Sequence, residues 1–193
     1  LTLLLIAVGS IALLELYRLS FQSRLNNILV GVGLAVFVLT IARSHVSLSL
    51  PELLLGGAFA LVMTALAVGT SSAYRWKDPL LALLGVLYVG IPLSTVVSAR
   101  ALPTGAFLVL FLAVVTWASD SAAYYAGTLW GKHPLMPSIS PKKTYEGLLG
   151  GLMGAIAAAV LAQMWFASEL SWTDAVVLGI LLTLTGLVGD LFE

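Results

Sequence analysis

Residues 104–125 read TGAFLVLFLAVVTWASDSAAYY, an apolar run with a single acidic side chain, Asp120, close to its end. A helix needs roughly 20 mostly apolar residues to cross the hydrocarbon core of a bilayer, so this run is long enough to span one. Polar and apolar residues do not alternate along it, which favours a helix over a barrel strand. The stretch therefore predicts a transmembrane helix that carries a carboxylate near one end.

Six further apolar runs are separated from this one and from each other by short charged stretches. The seven predicted spans are 1–17, 25–42, 53–73, 80–98, 104–125, 145–166 and 173–191. The composition agrees with them, because the mean hydropathy is +1.07 and only 9% of residues are charged, against about 25% in soluble domains. The predicted fold class is an all-α polytopic membrane protein with about seven transmembrane helices, the fourth of them kinked at Pro92.

Basic residues are distributed unevenly among the connections between these spans. The connections after the first, third and fifth spans contain seven of the nine Lys and Arg residues, namely Arg18, Arg24, Arg75, Lys77, Lys132, Lys142 and Lys143. The other connections contain only Arg43 and Arg100. Because Lys and Arg accumulate in cytoplasmic loops, the odd-numbered connections are predicted to be cytoplasmic.

The net charge and the cysteine content exclude some classes of function. A net charge of zero provides no field that would attract nucleic acid. The absence of cysteine excludes disulfides and thiolate metal sites in this sequence. The sequence begins inside one apolar run and stops just after another, so we expect it to be a piece of a longer membrane protein.

The few acidic residues suggest where chemistry takes place. Six of the nine fall at helix ends that are predicted to open on the cytoplasmic side, namely Glu15, Asp78, Asp120, Glu146, Asp190 and Glu193. A carboxylate near lipid usually requires a partner or a cation, and carboxylates without His or Cys suit a hard cation such as Mg²⁺. Asp120 shares a helix face with Tyr124, four residues on. The alternative is structural: Asp120 is buried and paired with a neighbouring helix.

The longest polar connection is predicted over 127–144 and is followed by the sixth span. Residues 140–147 read SPKKTYEG, which favours Ser140 as a helix N-cap and Pro141 as the first helical residue. Two lysines in a first turn oppose the helix dipole unless they face a bound anion such as phosphate. Contact with lipid headgroups explains Lys142 and Lys143 equally well, and the sequence does not decide between these interpretations.

Small residues and histidines have simpler interpretations. Ala123 and Gly127 lie four residues apart, as do the pairs Gly147/Gly151 and Gly150/Gly154, and this spacing is typical of close helix packing in membranes. His133 is predicted to be an isolated surface histidine, and the sequence offers no Ser-His-Asp arrangement on one side of the membrane.

Three stretches together resemble the phosphatidate cytidylyltransferases, also called CDP-diacylglycerol synthases. Asp120 to Gly127 fits the family pattern Asp-Ser-x-Ala-Tyr-x-x-Gly, and Ser140 to Gly147 fits Ser-Pro-x-Lys-Thr-x-Glu-Gly. Gly189 to Glu193 fits the opening Gly-Asp-x-x-Glu of the family signature. The order and spacing also agree over about residues 110–193, whereas the first hundred residues are similar mainly in being apolar.

The resemblance implies a reaction and a set of residues. In this family a phosphatidate oxygen attacks the α-phosphorus of CTP, giving CDP-diacylglycerol and pyrophosphate with the help of Mg²⁺ and, on one reading, a second cation. The implied catalytic residues are Asp120, Lys143 and Asp190, with the two aspartates as metal ligands. The implied substrate-binding residues are Tyr124, Ser140, Lys142, Lys143, Thr144 and Glu146.

The resemblance also implies an organisation and a set of partners. Residues 1–103 would form four N-terminal spans, and residues 104–193 the catalytic region, in a multi-pass protein of the inner membrane with its active site facing the cytoplasm. CTP, phosphatidate and membrane lipid are the expected partners, and no nucleic acid is expected. A homodimer is compatible with the resemblance. The family signature continues beyond Glu193 with a Lys-Arg pair, a His-Gly-Gly stretch and a second metal-binding Asp, so this segment alone is expected to be inactive.

Three other functions remain open at the level of sequence. One is a related nucleotidyl- or phosphotransferase that acts on another lipid. Another is a cation transporter whose intramembrane carboxylates bind ions, although such sites usually lie near the bilayer midplane. The last is a purely structural subunit, which would leave Asp120 and Asp190 without an explanation.

Overall fold

The computed structural model is largely helical and describes residues 1–20, 27–43, 49–68, 77–137 and 140–192. Its helices are α1 (Thr2–Ser20), α2 (Asn27–Ala42), α3 (Leu50–Val68), α4 (Lys77–Gly85), α5 (Ile91–Arg100), α6 (Gly105–Trp130), α7 (Tyr145–Trp165) and α8 (Trp172–Phe192). A π-helical turn, Val86–Gly90, joins α4 to α5. Two short strands, β1 (Pro134–Met136) and β2 (Ser140–Thr144), pair in antiparallel fashion between α6 and α7.

Six of the described helical segments are long and apolar enough to cross a membrane. They are Thr2–Ser20, Leu50–Ala67, Lys77–Arg100, Gly105–Trp130, Tyr145–Trp165 and Trp172–Asp190. The remaining apolar helix, α2, has 16 residues, which corresponds to about 24 Å of rise against a hydrocarbon core of about 30 Å. The chain is an all-α polytopic membrane protein, which confirms the fold class predicted from sequence.

The fourth apolar segment changes its helical type next to its proline. Pro92 is the second residue of α5, directly after the π-helical turn Val86–Gly90. Proline lacks an N–H group and its ring crowds the preceding turn, so a wider turn with a different hydrogen-bond pattern accommodates it. The kink predicted at Pro92 stays a prediction, and the structure shows a π-helical turn directly before this proline.

The helices group into two compact units, Leu1–Ala101 and Leu102–Glu193. The first unit is built around bulky side chains, and its buried core includes Leu13, Tyr17, Leu29, Phe37, Ile41, Leu61, Val86 and Val97. The Tyr17 hydroxyl donates a hydrogen bond to the Ala82 carbonyl at 2.8 Å. A Cβ atom added at Gly33 would meet the Tyr17 ring, so this glycine makes room for it.

The second unit depends on the close approach of α6 and α7. A Cβ atom added at Gly150 would lie 3.0 Å from the Ala122 carbonyl oxygen, and one at Gly154 would lie 3.1 Å from the Ala118 carbonyl oxygen. The neighbouring face of α7 is equally tight, because a Cβ atom at Gly147 would lie 3.1 Å from the Ala123 carbonyl oxygen. These contacts confirm that the small residues at four-residue spacing are helix-packing surfaces.

Helix α8 completes this unit by packing on α7. A Cβ atom added at Gly179 would lie 3.2 Å from the Ala155 carbonyl oxygen and 3.3 Å from the Ala159 Cβ atom. The buried core of the unit is correspondingly poor in large side chains and consists of Phe111, Val115, Ala155, Ala159, Ala162, Ala167 and Ala175. Packing with so little bulk brings the three helix backbones near one another, which determines where their polar ends meet.

We expect Gly150→Ala to destabilise the protein by about 1–3 kcal/mol, because the added methyl group must push α6 away from α7. Gly186→Ala in α8 is the matched control, since no atom lies within 4 Å of an added Cβ atom there, and its better helix propensity is worth up to about 1 kcal/mol. The free energy of unfolding in a detergent titration measures both. Equal effects of the two substitutions would contradict the packing described for α6 and α7.

Candidate active site

A cavity of about 580 Å³ lies in the second unit, between the C-terminal halves of α6 and α8 and the first turns of α7. The side chains and backbone that line it come from these three helices and from β2. They are Ser119, Asp120, Ala123, Tyr124, Gly127, Thr128, Lys142, Lys143, Thr144, Gly147, Leu148, Gly151, Thr183, Leu187 and Asp190. The lining is mostly small or apolar, with charged groups contributed by only four residues.

An ion pair joins β2 to α8 across this cavity. Lys143 Nζ lies 3.0 Å from Asp190 Oδ2, and the side chains of Lys143 and Asp190 are 24% and 62% exposed. The Nζ atom itself is buried and makes no hydrogen bond within the described part of the chain beyond this ion pair. An ammonium group has three N–H donors, so Lys143 keeps donor capacity for a ligand in the cavity.

A second carboxylate, that of Asp120, lines the same cavity from α6. Asp120 is exposed, so the structural alternative of a buried aspartate is not what the structure shows. Tyr124, one turn further along α6, also lines the cavity, and its ring is 68% exposed and lies edge-on to Tyr125 with centroids 5.5 Å apart. The structure therefore brings together Asp120 and Tyr124 as their four-residue spacing predicted.

Two buried hydroxyl groups form part of the cavity wall between α6 and α8. The Thr183 hydroxyl donates to the Gly179 carbonyl at 3.0 Å, and Ser119 Oγ lies 3.0 Å from Thr183 Oγ1. Because the Thr183 proton is already used, Ser119 is the donor in the contact between the helices. Sequence reasoning missed this pair, since a hydroxyl in an apolar run gives no signal of its partner on another helix.

The N-terminus of α7 differs from the sequence prediction. Ser140 was predicted to cap a helix that starts at Pro141, but residues 140–144 form β2, and Ser140 is opposite Met136 in the strand pair. The helix begins at Tyr145, and Thr144 is its N-cap, with Oγ1 accepting the Gly147 N–H at 3.1 Å. Proline is tolerated here because both strands of a two-stranded sheet are edge strands.

The two lysines lie in a different element from the one predicted. Lys142 and Lys143 lie on β2 and not in a helical first turn, so they do not oppose a helix dipole. Both line the cavity, with Lys142 exposed and Lys143 in the ion pair with Asp190. Of the residues predicted to bind substrate, Ser140 and Glu146 are not among those that line the cavity, whereas Tyr124, Thr144 and both lysines are.

Glu146 makes contacts of a different kind at the start of α7. Its Oε1 atom lies 2.6 Å from His133 Nδ1, and its Oε2 atom accepts the backbone N–H groups of Lys132 at 3.2 Å and His133 at 3.3 Å. His133, predicted to be an isolated surface histidine, is indeed 76% exposed but has a specific partner. Sequence reasoning missed this contact, because the strand pair separates the two residues along the chain.

The lining residues are compatible with a hard divalent cation that arrives with phosphates. Asp120 and Asp190 contribute two carboxylates to its lining, and within the described ranges no group of three or more His, Cys, Asp or Glu residues could hold a metal. Mg²⁺ is usually held by one or two carboxylates together with water and substrate phosphates, not by a cage of protein ligands. Glu193, three residues after Asp190 in the sequence, lies outside the described residues.

The fold and the cavity define a polytopic membrane protein with lysine and carboxylate groups gathered at one end of three helices. The chain belongs to the cytidylyltransferase family, whose family model matches residues 1–193.

Curated relatives agree with this assignment. A phosphatidate cytidylyltransferase of Bacillus subtilis (strain 168) is 27% identical over 197 residues, covering 100% of this chain and 73% of that protein. Those of Staphylococcus saprophyticus subsp. saprophyticus and Staphylococcus epidermidis are 30% and 32% identical over 136 residues, covering 70% of this chain and 52% of each relative. The chain thus spans about half the length of the staphylococcal relatives that it matches.

We expect Thr144→Ala to weaken the first turn of α7 by about 1 kcal/mol, because the Gly147 N–H loses its acceptor. Thr144→Ser keeps an equivalent oxygen and should behave like the wild type. Ser140→Ala should leave the turn unchanged, since Ser140 lies on β2. Hydrogen exchange of the backbone amides at the start of α7 measures the effect, and faster exchange in Ser140→Ala than in Thr144→Ala would restore the helix start predicted from sequence.

Proposed function

We propose that the protein transfers a cytidylyl group from CTP to phosphatidate, giving CDP-diacylglycerol and pyrophosphate. The observation that carries this proposal is the cavity in which the Lys143 ammonium group and the carboxylates of Asp120 and Asp190 meet from three different elements. Membership of the cytidylyltransferase family and similarity to phosphatidate cytidylyltransferases support the same activity.

The bond changes are those of a nucleotidyl transfer. An oxygen of the phosphatidate phosphate forms a bond to the α-phosphorus of CTP, and the bond from that phosphorus to the bridging oxygen of the β-phosphate breaks. Pyrophosphate leaves with the bonding electrons. Such a reaction depends on positioning the reactants and on stabilising negative charge, so no covalent intermediate with the protein is required.

The residues around the cavity have separate parts in this scheme. The Lys143 ammonium group has unused N–H donors and would bind oxygens of the triphosphate, with the exposed Lys142 nearby on the same strand. Asp120 and Asp190 would hold Mg²⁺, which when bound offsets charge on the phosphates. Tyr124 and Thr144 complete the wall on the side of α6 and the start of α7.

The position of the cavity at helix ends suggests how two unlike substrates meet. Asp120 lies in the C-terminal half of α6, ten residues before its end at Trp130, Asp190 lies two residues before the end of α8, and Thr144 directly precedes α7. The excess of Lys and Arg in the odd-numbered connections favours a cytoplasmic location for these ends. In that orientation CTP enters from the cytoplasm, whereas phosphatidate enters sideways from the inner leaflet of the cell membrane.

A cation transporter is less compatible with the same contacts. The Lys143 ammonium group lies 3.0 Å from Asp190 Oδ2. A permeating cation that approached the Asp190 carboxylate would therefore be repelled by this positive charge. An acceptor lipid other than phosphatidate would leave the phosphate chemistry unchanged. Assaying the conversion of radiolabelled CTP with alternative lipids in place of phosphatidate would identify such an acceptor.

We expect Asp190→Asn in the full-length protein to lower Mg²⁺-dependent conversion of radiolabelled CTP to CDP-diacylglycerol by at least about 100-fold, in the range seen when a group that stabilises transition-state charge is removed. Glu169→Gln is the matched control, because it makes the same carboxylate-to-amide change at an exposed position between α7 and α8. Unimpaired turnover by Asp190→Asn would remove this residue from the mechanism. Cation flux into liposomes without consumption of CTP would favour the transporter.

A further inference from the structure

Glu146 lies beside the cavity without lining it, and its carboxylate is fully engaged elsewhere. Oε2 accepts two backbone N–H groups, those of Lys132 and His133, while Oε1 contacts His133 Nδ1 at 2.6 Å. Because a carboxylate can only accept, Nδ1 carries the proton in this contact. Hydrogen bonds to a charged acceptor are stronger than neutral ones, so these three contacts form a firm attachment between the start of α7 and the turn after α6.

The attached turn leads directly into the strand that carries the lysines. The Gly131 N–H donates to the Gly127 carbonyl at 3.0 Å, and the Tyr145 N–H donates to the His133 carbonyl at 3.0 Å. Pro134 is then opposite Thr144, the last residue of β2. The turn and the end of the strand pair at Pro134 and Thr144 are thus linked to the first residues of α7 through Glu146 and its neighbours.

The strand pair has little stability of its own. β1 has three residues and β2 has five, and the register shifts between Pro134 and Met136. An isolated two-stranded hairpin is at best marginally stable in water. The position of β2 must therefore depend on contacts outside the strand pair. The structure describes two sets of charged contacts here, the Lys143–Asp190 ion pair to α8 and the contacts of Glu146 with the turn before β1.

We propose that Glu146 is a positioning residue that holds β2 so that the Lys143 ammonium group remains in the cavity beside Asp190. His133 is the side-chain half of this attachment. The role in catalysis rests on the proposed function, because Lys143 is the group that would meet the triphosphate. The geometric part of the proposal does not depend on any substrate.

The geometric part can be tested through the reactivity of the two lysines. Lys143 Nζ is buried, whereas Lys142 is exposed, so an amine-acylating reagent should modify Lys142 faster in the full-length protein in detergent. Mass spectrometry of the peptide that contains both lysines gives the ratio of the two rates. We expect Glu146→Ala to raise the relative rate at Lys143 by about tenfold, the factor expected when hydrogen bonds to a charged group are lost.

Conservative and control variants separate positioning from a general loosening of the fold. Glu146→Gln retains an oxygen for the backbone N–H groups, and its NH2 group donates to His133 Nδ1 when the ring takes the tautomer with its proton on Nε2. This variant should therefore restore most of the protection of Lys143. His133→Ala removes only an exposed side chain, which cannot disturb the core, and should give a smaller increase than Glu146→Ala. Glu169→Ala should leave the ratio unchanged.

Each outcome decides the proposal. The proposal is overturned if Lys143 remains protected in both Glu146→Ala and His133→Ala. It is also overturned if Glu169→Ala raises the relative rate at Lys143 as much as Glu146→Ala does. If the labelling results are as expected while CTP is not consumed by the wild type, the proposed function fails and the positioning role stands. If both hold, Glu146→Ala should raise the KM for CTP more than it lowers kcat, and Glu146→Gln should restore it.

Discussion

Backbone-to-backbone contact between α6 and α7 is the constraint on which the second unit depends. Glycines on α7 face alanines and carbonyl groups on α6 at distances that leave no room for another Cβ atom. In lipid there is little hydrophobic gain from bringing helices together, so close packing of small residues and polar contacts between helices must supply the association. The Ser119–Thr183 contact adds one such polar link, from α6 to α8.

This packing explains why charged side chains can gather at the ends of apolar helices. Asp120 and Asp190 belong to different helices, and Lys143 lies on the strand between α6 and α7, yet all three line one cavity. A carboxylate near lipid is expensive without a partner, and the Lys143–Asp190 ion pair provides one in the absence of substrate. In the proposed function, a nucleotide with its cation would take part in the same charge balance.

The sequence predicted the fold class, and six of the eight residues that it singled out for a site line the cavity; both results have identifiable physical reasons. Long apolar runs have no alternative to helices in a bilayer, and small residues four apart predicted the α6–α7 contact. Asp120 and Asp190 were singled out because charged residues are rare in such runs, whereas Lys143 was singled out because two lysines at a predicted helix start suggested a bound anion. Each of the seven predicted apolar segments overlaps a described helical segment. Six of these are long enough to cross a membrane, and α2 is shorter.

What the sequence did not reveal depends on contacts between distant parts of the chain. Ser140-Pro141 has the pattern of a helix start, but Thr144 offers a cap four residues later and the intervening residues pair with β1. The attachment of His133 to Glu146 requires the turn and the helix to be placed first. Ser119 and Thr183 gave no signal either, since each hydroxyl is unremarkable until its partner on the other helix is known.

The central claim is that Asp120 and Asp190 hold a divalent cation together with a cytidine triphosphate in the cavity beside Lys143. Electron paramagnetic resonance of Mn²⁺, used in place of Mg²⁺ with the full-length protein and CTP, tests it without reference to turnover. The account predicts a protein-bound Mn²⁺ signal that appears with CTP and is lost when both Asp120→Asn and Asp190→Asn are introduced. If the double variant binds Mn²⁺ and CTP with the same affinity as the wild type, this claim is contradicted.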